Sequence, residues 1–281
     1  MPAEERPAVG FVGLGEQGTP VARRILDHGY PLVIWARRQT SLAPFDGTGA
    51  IVAADLADLS SRSDIVCVCV LNDQDVEDVL HGGIIDSLKP GGLIVVNSTT
   101  RPGTVRRLAD EAATHGLSLI DAPVSGMARG AAAGTMAIFV GGTLEAFERY
   151  APIARTFGTP THMGAIGSGQ IVKLLNNTTA VSNLVIAQDT LAIGEALGID
   201  RDVLSKAIMS GSSASKMFQT YLSFDYSPVL GRDPAYFLRD WSRILSDLAS
   251  VLEEEHVDGR MTRMLGQMFI QRTDDYVSSL A

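Results

Sequence analysis

Lys173 and Asn177 are the residues best placed by type and spacing to do chemistry. Lys173 is one of only four lysines in 281 residues, and four positions later comes the second of two adjacent asparagines, Asn176 and Asn177. They stand at the head of an Ala/Leu/Ile-rich stretch that runs to Leu197. Asparagine is a poor choice there, because its amide competes for backbone hydrogen bonds. On a helix, residues four apart share a face, so this ammonium and this amide reach one point. A lysine so placed can give or take a proton near neutral pH once partial burial and cationic surroundings lower its pKa. An amide beside it can hold a ligand without adding charge. By themselves the two residues read more simply as a solvated lysine and a satisfied buried asparagine. What precedes them has to decide.

GFVGLGEQG places Gly13, Gly15 and Gly18 directly after an apolar, strand-like run and at the start of a helical pattern. That arrangement supplies a tight turn, close backbone approach to a pyrophosphate, and a helix N-terminus aimed at the anion. The motif alone is weak evidence, but a strand before it and a series of strand–helix units after it are the context a dinucleotide site requires. The next strand carries the discriminating position. A site for NAD wants Asp or Glu about 20 residues on, whereas a 2′-phosphate wants arginine. VIWARRQT offers Ala36, Arg37 and Arg38 and no acid. Guanidinium groups grip a phosphate through paired hydrogen bonds, so the expected cofactor is NADP(H).

The elements that must position these residues fall into two textures. AVGFVG, PLVIWA, AIV, DIVCVCVL, GLIVVN, LSLIDAP and MAIFVGG read as strands, with TPVARRILDHG, DVEDVL and TVRRLADEAATHG as helices between them. That alternation specifies an α/β fold with a mostly parallel sheet. From about Ser168 strand signals vanish, leaving a long apolar helix to Leu197, a shorter one from Asp202, and others from Ala235 and Gly259. The expectation is a Rossmann-type dinucleotide-binding domain over 1–165, followed over 166–281 by an all-α domain built on a long interdomain helix. VSNLVIAQDTLAIGEALGI is apolar around most of its circumference, so it must be buried within its own domain or against another subunit. The run Glu253, Glu254, Glu255 reads as a solvated helix face. The turn-rich, aromatic segment Tyr221 to Pro234 suits a pocket wall and a simple connection equally well.

A formal charge of −9 argues against a nucleic-acid partner. No apolar run approaches the roughly 20 residues of a membrane span, and MPAEERPAVG lacks a signal pattern. A cytoplasmic location follows as the expectation. Cys67 and Cys69 share one face of an apolar strand with no histidine or third cysteine beside them, so they read as reduced core thiols and not as metal ligands.

The glycine fingerprint, NSTT at Asn97 to Thr100, DAPVSGMARGAAAGTMAIFVGG at Asp121 to Gly142, and GSGQIVKLLNN occur in the order found in the β-hydroxyacid dehydrogenases. The chain resembles that family, the group of 3-hydroxyisobutyrate dehydrogenase and tartronate semialdehyde reductase, over almost its whole length. The resemblance implies a Rossmann domain followed by a helical one, in a homodimer or homotetramer with the long helix at the interface. It implies that Lys173 is the acid/base and that Asn177 holds the substrate. It also implies that Ser125 and the backbone at Gly126 bind a substrate carboxylate, through neutral donors at a strand end. The implied cofactor set is Gly13, Leu14, Gly15, Gln17, Gly18, Arg37, Arg38, Leu71, Thr99 and Arg239. The implied substrate set is Ser125, Gly126, Met127, Asn177 and Trp241. Two departures bear on the substrate. Met127 stands where relatives usually have a second glycine, and Arg239, Asp240 and Trp241 replace a Lys-Asp-Leu motif. The activity implied is NADP-linked hydride transfer between the nicotinamide and a small β-hydroxy acid, semialdehyde or keto-acid. The alternatives are an imine reductase of the same fold, disfavoured because that group commonly replaces the lysine, and a cofactor-binding module without catalysis.

Overall fold

Short runs of valine, isoleucine and leucine, cut by glycine or Asp/Asn turns, form the strands of a single sheet in a computed structural model that describes residues 6–223 and 234–279. The strands are β1 (Val9–Val12), β2 (Leu32–Trp35), β3 (Ile51–Val52), β4 (Ile65–Val68), β5 (Leu93–Val96), β6 (Ser118–Asp121), β7 (Val124–Ser125), β8 (Met136–Gly141) and β9 (Gly158–Gly164). Their order is β3-β2-β1-β4-β5-β6-β8-β7, with β9 on β8. β1 to β6 pair in parallel, whereas β8 runs antiparallel to β6 and β7. Both faces of the parallel strands are covered, which is why they read as continuous apolar runs instead of alternating ones.

The helices of this part are α1 (Gly18–Asp27), α2 (Leu56–Ser61), α3 (Asp73–Val79), α4 (Ile85–Ser87), α5 (Pro102–Thr114), α6 (Met127–Ala133) and α7 (Leu144–Ala154). Phe11, Ile34, Cys67, Val95 and Ile120 pack on one face of the sheet with Val21 and Ile25 of α1 and Tyr150 and Ile153 of α7. Val12, Val33, Val66, Val68, Ile94 and Val96 pack on the other with Leu59 of α2 and Val105 and Leu108 of α5. The strand ends are in register. Val12 lies opposite Trp35 and Val68, Val68 opposite Val96, and Val96 opposite Asp121. The chain therefore leaves five neighbouring strands along one line. The strand order reverses between β1 and β4, the position at which sheets of this Rossmann type bind ligands.

The remaining elements are helical: α8 (Ser168–Ala196), α9 (Arg201–Ser210), α10 (Lys216–Ser223), α11 (Pro234–Glu254) and α12 (Arg260–Ser279). Two compact units result, Met1–Lys173 and Leu174–Ala281, with α8 beginning in the first and continuing into the second. Within the helical unit, Val181, Leu184 and Val185 of α8 pack with Leu245 and Phe269, and Leu174 packs with Ile244 and Leu248. No helix among the described residues is long and apolar enough to cross a membrane.

Seven strands and the principal helices match the sequence expectation. β7, β9, α2, α4, α6, α7 and α10 have no counterpart in it. β9, GTPTHMG, has no apolar alternation, and it is held by its parallel register with β8. α6, MARGAAA, carries an internal glycine and only two buried residues.

Candidate active site

The three glycines after β1 differ in what their surroundings require. A Cβ at Gly13, whose φ is +99°, would lie 2.0 Å from the Cys69 carbonyl oxygen at the end of β4. One at Gly18 would lie 1.9 Å from the Gly13 carbonyl. These two are dictated by the turn and by close helix–strand packing. Gly15 is different: it is exposed, and a Cβ there would meet nothing within 4 Å. No protein neighbour explains it. Open space at the middle glycine, in front of an α1 N-terminus that no side chain caps, fits the backbone approach that a pyrophosphate needs. Leu14 is buried in the sheet core beside this loop. The Gln17 side chain hydrogen-bonds the half-buried Cys69, whose thiol burial pushes up to about 11.

Arg37 and Arg38 leave the end of β2 with both side chains exposed. Arg37 Nη1 lies 3.8 Å from Oδ1 of Asp75 in the first turn of α3. Leu71, also exposed, precedes the Asn72 that caps α3 by accepting from the Asp75 N–H at 2.9 Å. Asp75 is absent from the sequence expectation because its proximity to Arg37 arises only once β1 and β4 are neighbours.

The chain after β5 is the most tightly bonded part of the site. Asn97 donates from Nδ2 to the Ala122 carbonyl and to the Tyr150 hydroxyl, each at 2.9 Å. The Ser98 hydroxyl accepts from the Val70 N–H at 2.8 Å. Thr99 is half-buried between two residues tied to α8. Gln170, fully buried, donates from Nε2 to the Ser98 carbonyl at 2.9 Å, and its Oε1 accepts from the Thr100 N–H at 3.0 Å. Asp121, at the end of β6 and also fully buried, accepts from the Gly167 and Gln170 N–H groups, both at 2.7 Å. Burial raises the Asp121 carboxyl above its usual value while those backbone bonds oppose the shift. Lys173 follows one turn after Gln170 and is 8% exposed. Burial on that scale for a lysine is unusual and requires polar company.

Ser125 ends β7 half-buried; Gly126 and Met127 follow at φ +142° and +57°. Met127 is 37% exposed and is one of two non-glycine residues with positive φ among the described residues. Both stand in the left-handed region that favours glycine. In the helical unit Asn177 accepts from Asn176 Nδ2 at 3.3 Å. Trp241 packs on Phe269, ring centroids 6.3 Å apart. The Arg239 side chain and most of the Tyr221–Pro234 segment lie outside the described residues. The ends of β1, β2, β4 and β5 thus set Gly13 to Gly18, Arg37, Arg38, Leu71 and Thr99 along one edge, and the Gln170 clamp joins the start of the lysine helix to it. Ser125, by contrast, ends β7, which pairs with β8 beyond the end of β6, and Gly126 and Met127 follow it. Asp121 and Gln170 stand inside motifs quoted above, but nothing in the sequence tells that the Asp121 carboxylate takes the Gly167 and Gln170 N–H groups or that the Gln170 amide reaches Ser98 and Thr100. Among the described residues no group of His, Cys, Asp and Glu could hold a metal ion.

Comparison with known proteins adds a second line of evidence. Residues 8–167 match the family model of the NAD binding domain of 6-phosphogluconate dehydrogenase. Residues 167–227 match the one described as NAD-binding of NADP-dependent 3-hydroxyisobutyrate dehydrogenase. A probable 3-hydroxyisobutyrate dehydrogenase-like 3, mitochondrial, of Arabidopsis thaliana is 33% identical over 76% of this chain and 68% of its own. L-threonate dehydrogenase of Cupriavidus necator is 33% identical over 84% of this chain and 82% of its own. The structure of Mycobacterium tuberculosis 3-hydroxyisobutyrate dehydrogenase with L-serine superposes with a TM-score of 0.83 over 97% of this chain and 94% of that one, at 22% identity, a likeness of fold.

Proposed function

This chain belongs to the β-hydroxyacid dehydrogenase family of NAD(P)-dependent oxidoreductases, and from that premise we propose that it interconverts a small β-hydroxy acid with its semialdehyde or keto-acid, using NADP(H). The observation that carries the reading is the clamp between the loop after β5 and the first turn of α8, which ties the lysine helix to the same strand-end edge as the glycine loop. Bound at that edge, the nicotinamide supplies or accepts the hydride. Gly13, Leu14, Gly15, Gln17 and Gly18 form the pyrophosphate turn, Arg37 and Arg38 receive the 2′-phosphate, and Leu71 and Thr99 contact the rest of the cofactor. Lys173 gives its Nζ proton to the nascent alkoxide, or takes the hydroxyl proton in the reverse direction. Asn177, one helical turn on, orients the substrate. Ser125 and the backbone of Gly126 and Met127 bind its carboxylate, with Trp241 a further wall. The extra methionine side chain at the cradle narrows the range of acids accepted.

The test is turnover of NADPH and NADH against a panel of semialdehydes, keto-acids and cyclic imines, with Lys173→Ala beside the wild type. The expected result is acid-substrate turnover that Lys173→Ala lowers by roughly 10²–10⁴ while NADPH affinity is kept. Turnover of imines alone, or a Lys173→Ala enzyme within a few-fold of wild type, overturns the reading.

We further propose a homodimer or homotetramer formed through α8. Leu175, Ile186 and Ile193 lie on one stripe of that helix with exposures of 46, 53 and 59%. An apolar stripe of that length is costly to leave in water. A stable, active monomer at micromolar concentration in sedimentation removes this proposal. With two free thiols, the reducing cytoplasm is the compartment that suits the chain.

A further inference from the structure

We propose that Gln170 is a positioning residue that couples the cofactor loop after β5 to the acid/base lysine; the inference rests on the role given to Lys173 above. Three observations support it. First, both ends of the Gln170 amide are used. Nε2 donates to the Ser98 carbonyl at 2.9 Å and Oε1 accepts from the Thr100 N–H at 3.0 Å, so the amide straddles Thr99 and closes a ring with that residue's two peptide groups. The glutamine amide offers an uncharged donor and an uncharged acceptor side by side at that reach. Second, the backbone of the same residue is fixed from the opposite side. Its N–H donates to Asp121 Oδ2 at 2.7 Å, and the Gly167 N–H donates to Oδ1 at 2.7 Å. A buried carboxylate thus sets the start of α8, and charge-assisted bonds of this kind are the strong ones. Third, the helix start cannot slide. A Cβ at Gly169 would lie 2.2 Å from the Phe139 carbonyl oxygen of β8, so only glycine lets α8 come this close.

Lys173 is three residues beyond Gln170 on the same helix and therefore lies on nearly the same side, one turn away. A shift of the Ser98 to Thr100 loop transmits to Lys173 through a single rigid turn, and a shift of the lysine transmits back to Thr99. The clamp holds the proton donor and the loop at the cofactor edge in fixed relation, where a displacement of about 1 Å is enough to cost 10²-fold in rate.

A double-mutant cycle tests this, with Gln170→Met, close in size but without hydrogen-bonding groups, Lys173→Ala, and the pair. In the wild-type background Gln170→Met should lower kcat about 10- to 100-fold. NADPH Kd, read by fluorescence titration, should stay within about threefold, because Thr99 is one contact among many and the groups proposed for the pyrophosphate and 2′-phosphate, at Gly13 to Gly18, Arg37 and Arg38, lie elsewhere on the edge. In the Lys173→Ala background the same change should cost less than about twofold in kcat, since there is no longer a lysine to misplace. Equal losses in the two backgrounds, or a folded Gln170→Met enzyme with unchanged kcat, overturn the inference and leave the catalytic lysine standing. A Lys173→Ala enzyme near wild-type activity overturns both. Should Gln170→Met not fold, Gln170→Glu retains the acceptor for the Thr100 N–H and runs the same cycle against the same criteria.

Discussion

The Arg37 guanidinium is 83% exposed and pairs at 3.8 Å with Asp75. A unit charge pair at that distance is worth about 1 kcal/mol at the dielectric of water, and exposed pairs typically contribute about 0.2–1 kcal/mol. A bidentate, charge-assisted contact from guanidinium to phosphate is worth about 1.5–3 kcal/mol. The second exceeds the first, so a 2′-phosphate takes Arg37 from Asp75, and the carboxylate left beside it weakens the net gain. Two substitutions should therefore move affinity in opposite directions. Arg37→Ala with Arg38→Ala should weaken NADPH roughly 10- to 100-fold at low salt and leave NADH nearly unchanged. Asp75→Asn should tighten NADPH about 2- to 5-fold, because it releases the guanidinium and removes a like charge from the phosphate. Both effects should shrink as salt screens these exposed groups. Ala36→Asp, which supplies a ribose acceptor and repels the phosphate, should shift preference toward NADH. The assay is the Kd of each cofactor by fluorescence titration at two ionic strengths. Wild-type preference for NADH, equal weakening of both cofactors in the arginine variant, or loss of NADPH affinity in Asp75→Asn refutes the reasoning.

Met127→Gly should leave the melting temperature unchanged or higher, because relief of a left-handed methionine offsets the added freedom of the unfolded chain; Met127→Val should lower it. A marked drop for the glycine variant would show that side-chain packing outweighs the backbone term. Asp121 holds its proton more tightly folded than unfolded, so its contribution to stability is fully present below pH 3.8 and is lost as pH rises through the raised folded-state value. Melts across that window should show wild type losing stability relative to Asp121→Asn as pH increases, and a gap that widens in favour of wild type contradicts the assignment. Burial pushes Cys69 up to about 11 and Cys67 higher still. At pH 8 the native protein should react with a thiol reagent far more slowly than a free cysteine of pKa about 8.5. Rapid labelling of either thiol before denaturation contradicts their place beside the sheet.

How much of this was legible in the sequence depends on the range of the interaction. Gly13 and Gly18 announce themselves because a turn and a helix packing distance are local requirements, and Val9–Val12 or Leu93–Val96 announce themselves because a strand covered on both faces needs nothing but apolar residues. The long helix is legible for the same reason. Asp75, Asp121 and Gln170 are not. Asp75 acquires its meaning from Arg37, 38 residues earlier, and Gln170 from Ser98 and Thr100, about 70 residues earlier. A glutamine in a first helical turn looks like any polar surface residue until burial is known. Met127 was visible as a departure in residue type, but its left-handed backbone belongs to the turn between β7 and α6.

The common register of the strand ends makes the sheet a ruler. Neighbouring strands lie about 4.8 Å apart, so the three steps from β2 through β1 and β4 to β5 measure about 14 Å along the edge. That length is set by the main-chain ladders between strands whose ends stand in register at Trp35, Val12, Val68 and Val96, and no side chain can alter it. A molecule laid along the edge must fit this span as a whole, whereas each end of it meets a different loop. On the proposed cofactor reading, selection can thus exchange the group met at Arg37 without disturbing the one met at Thr99, and the two specificities are free to change one at a time.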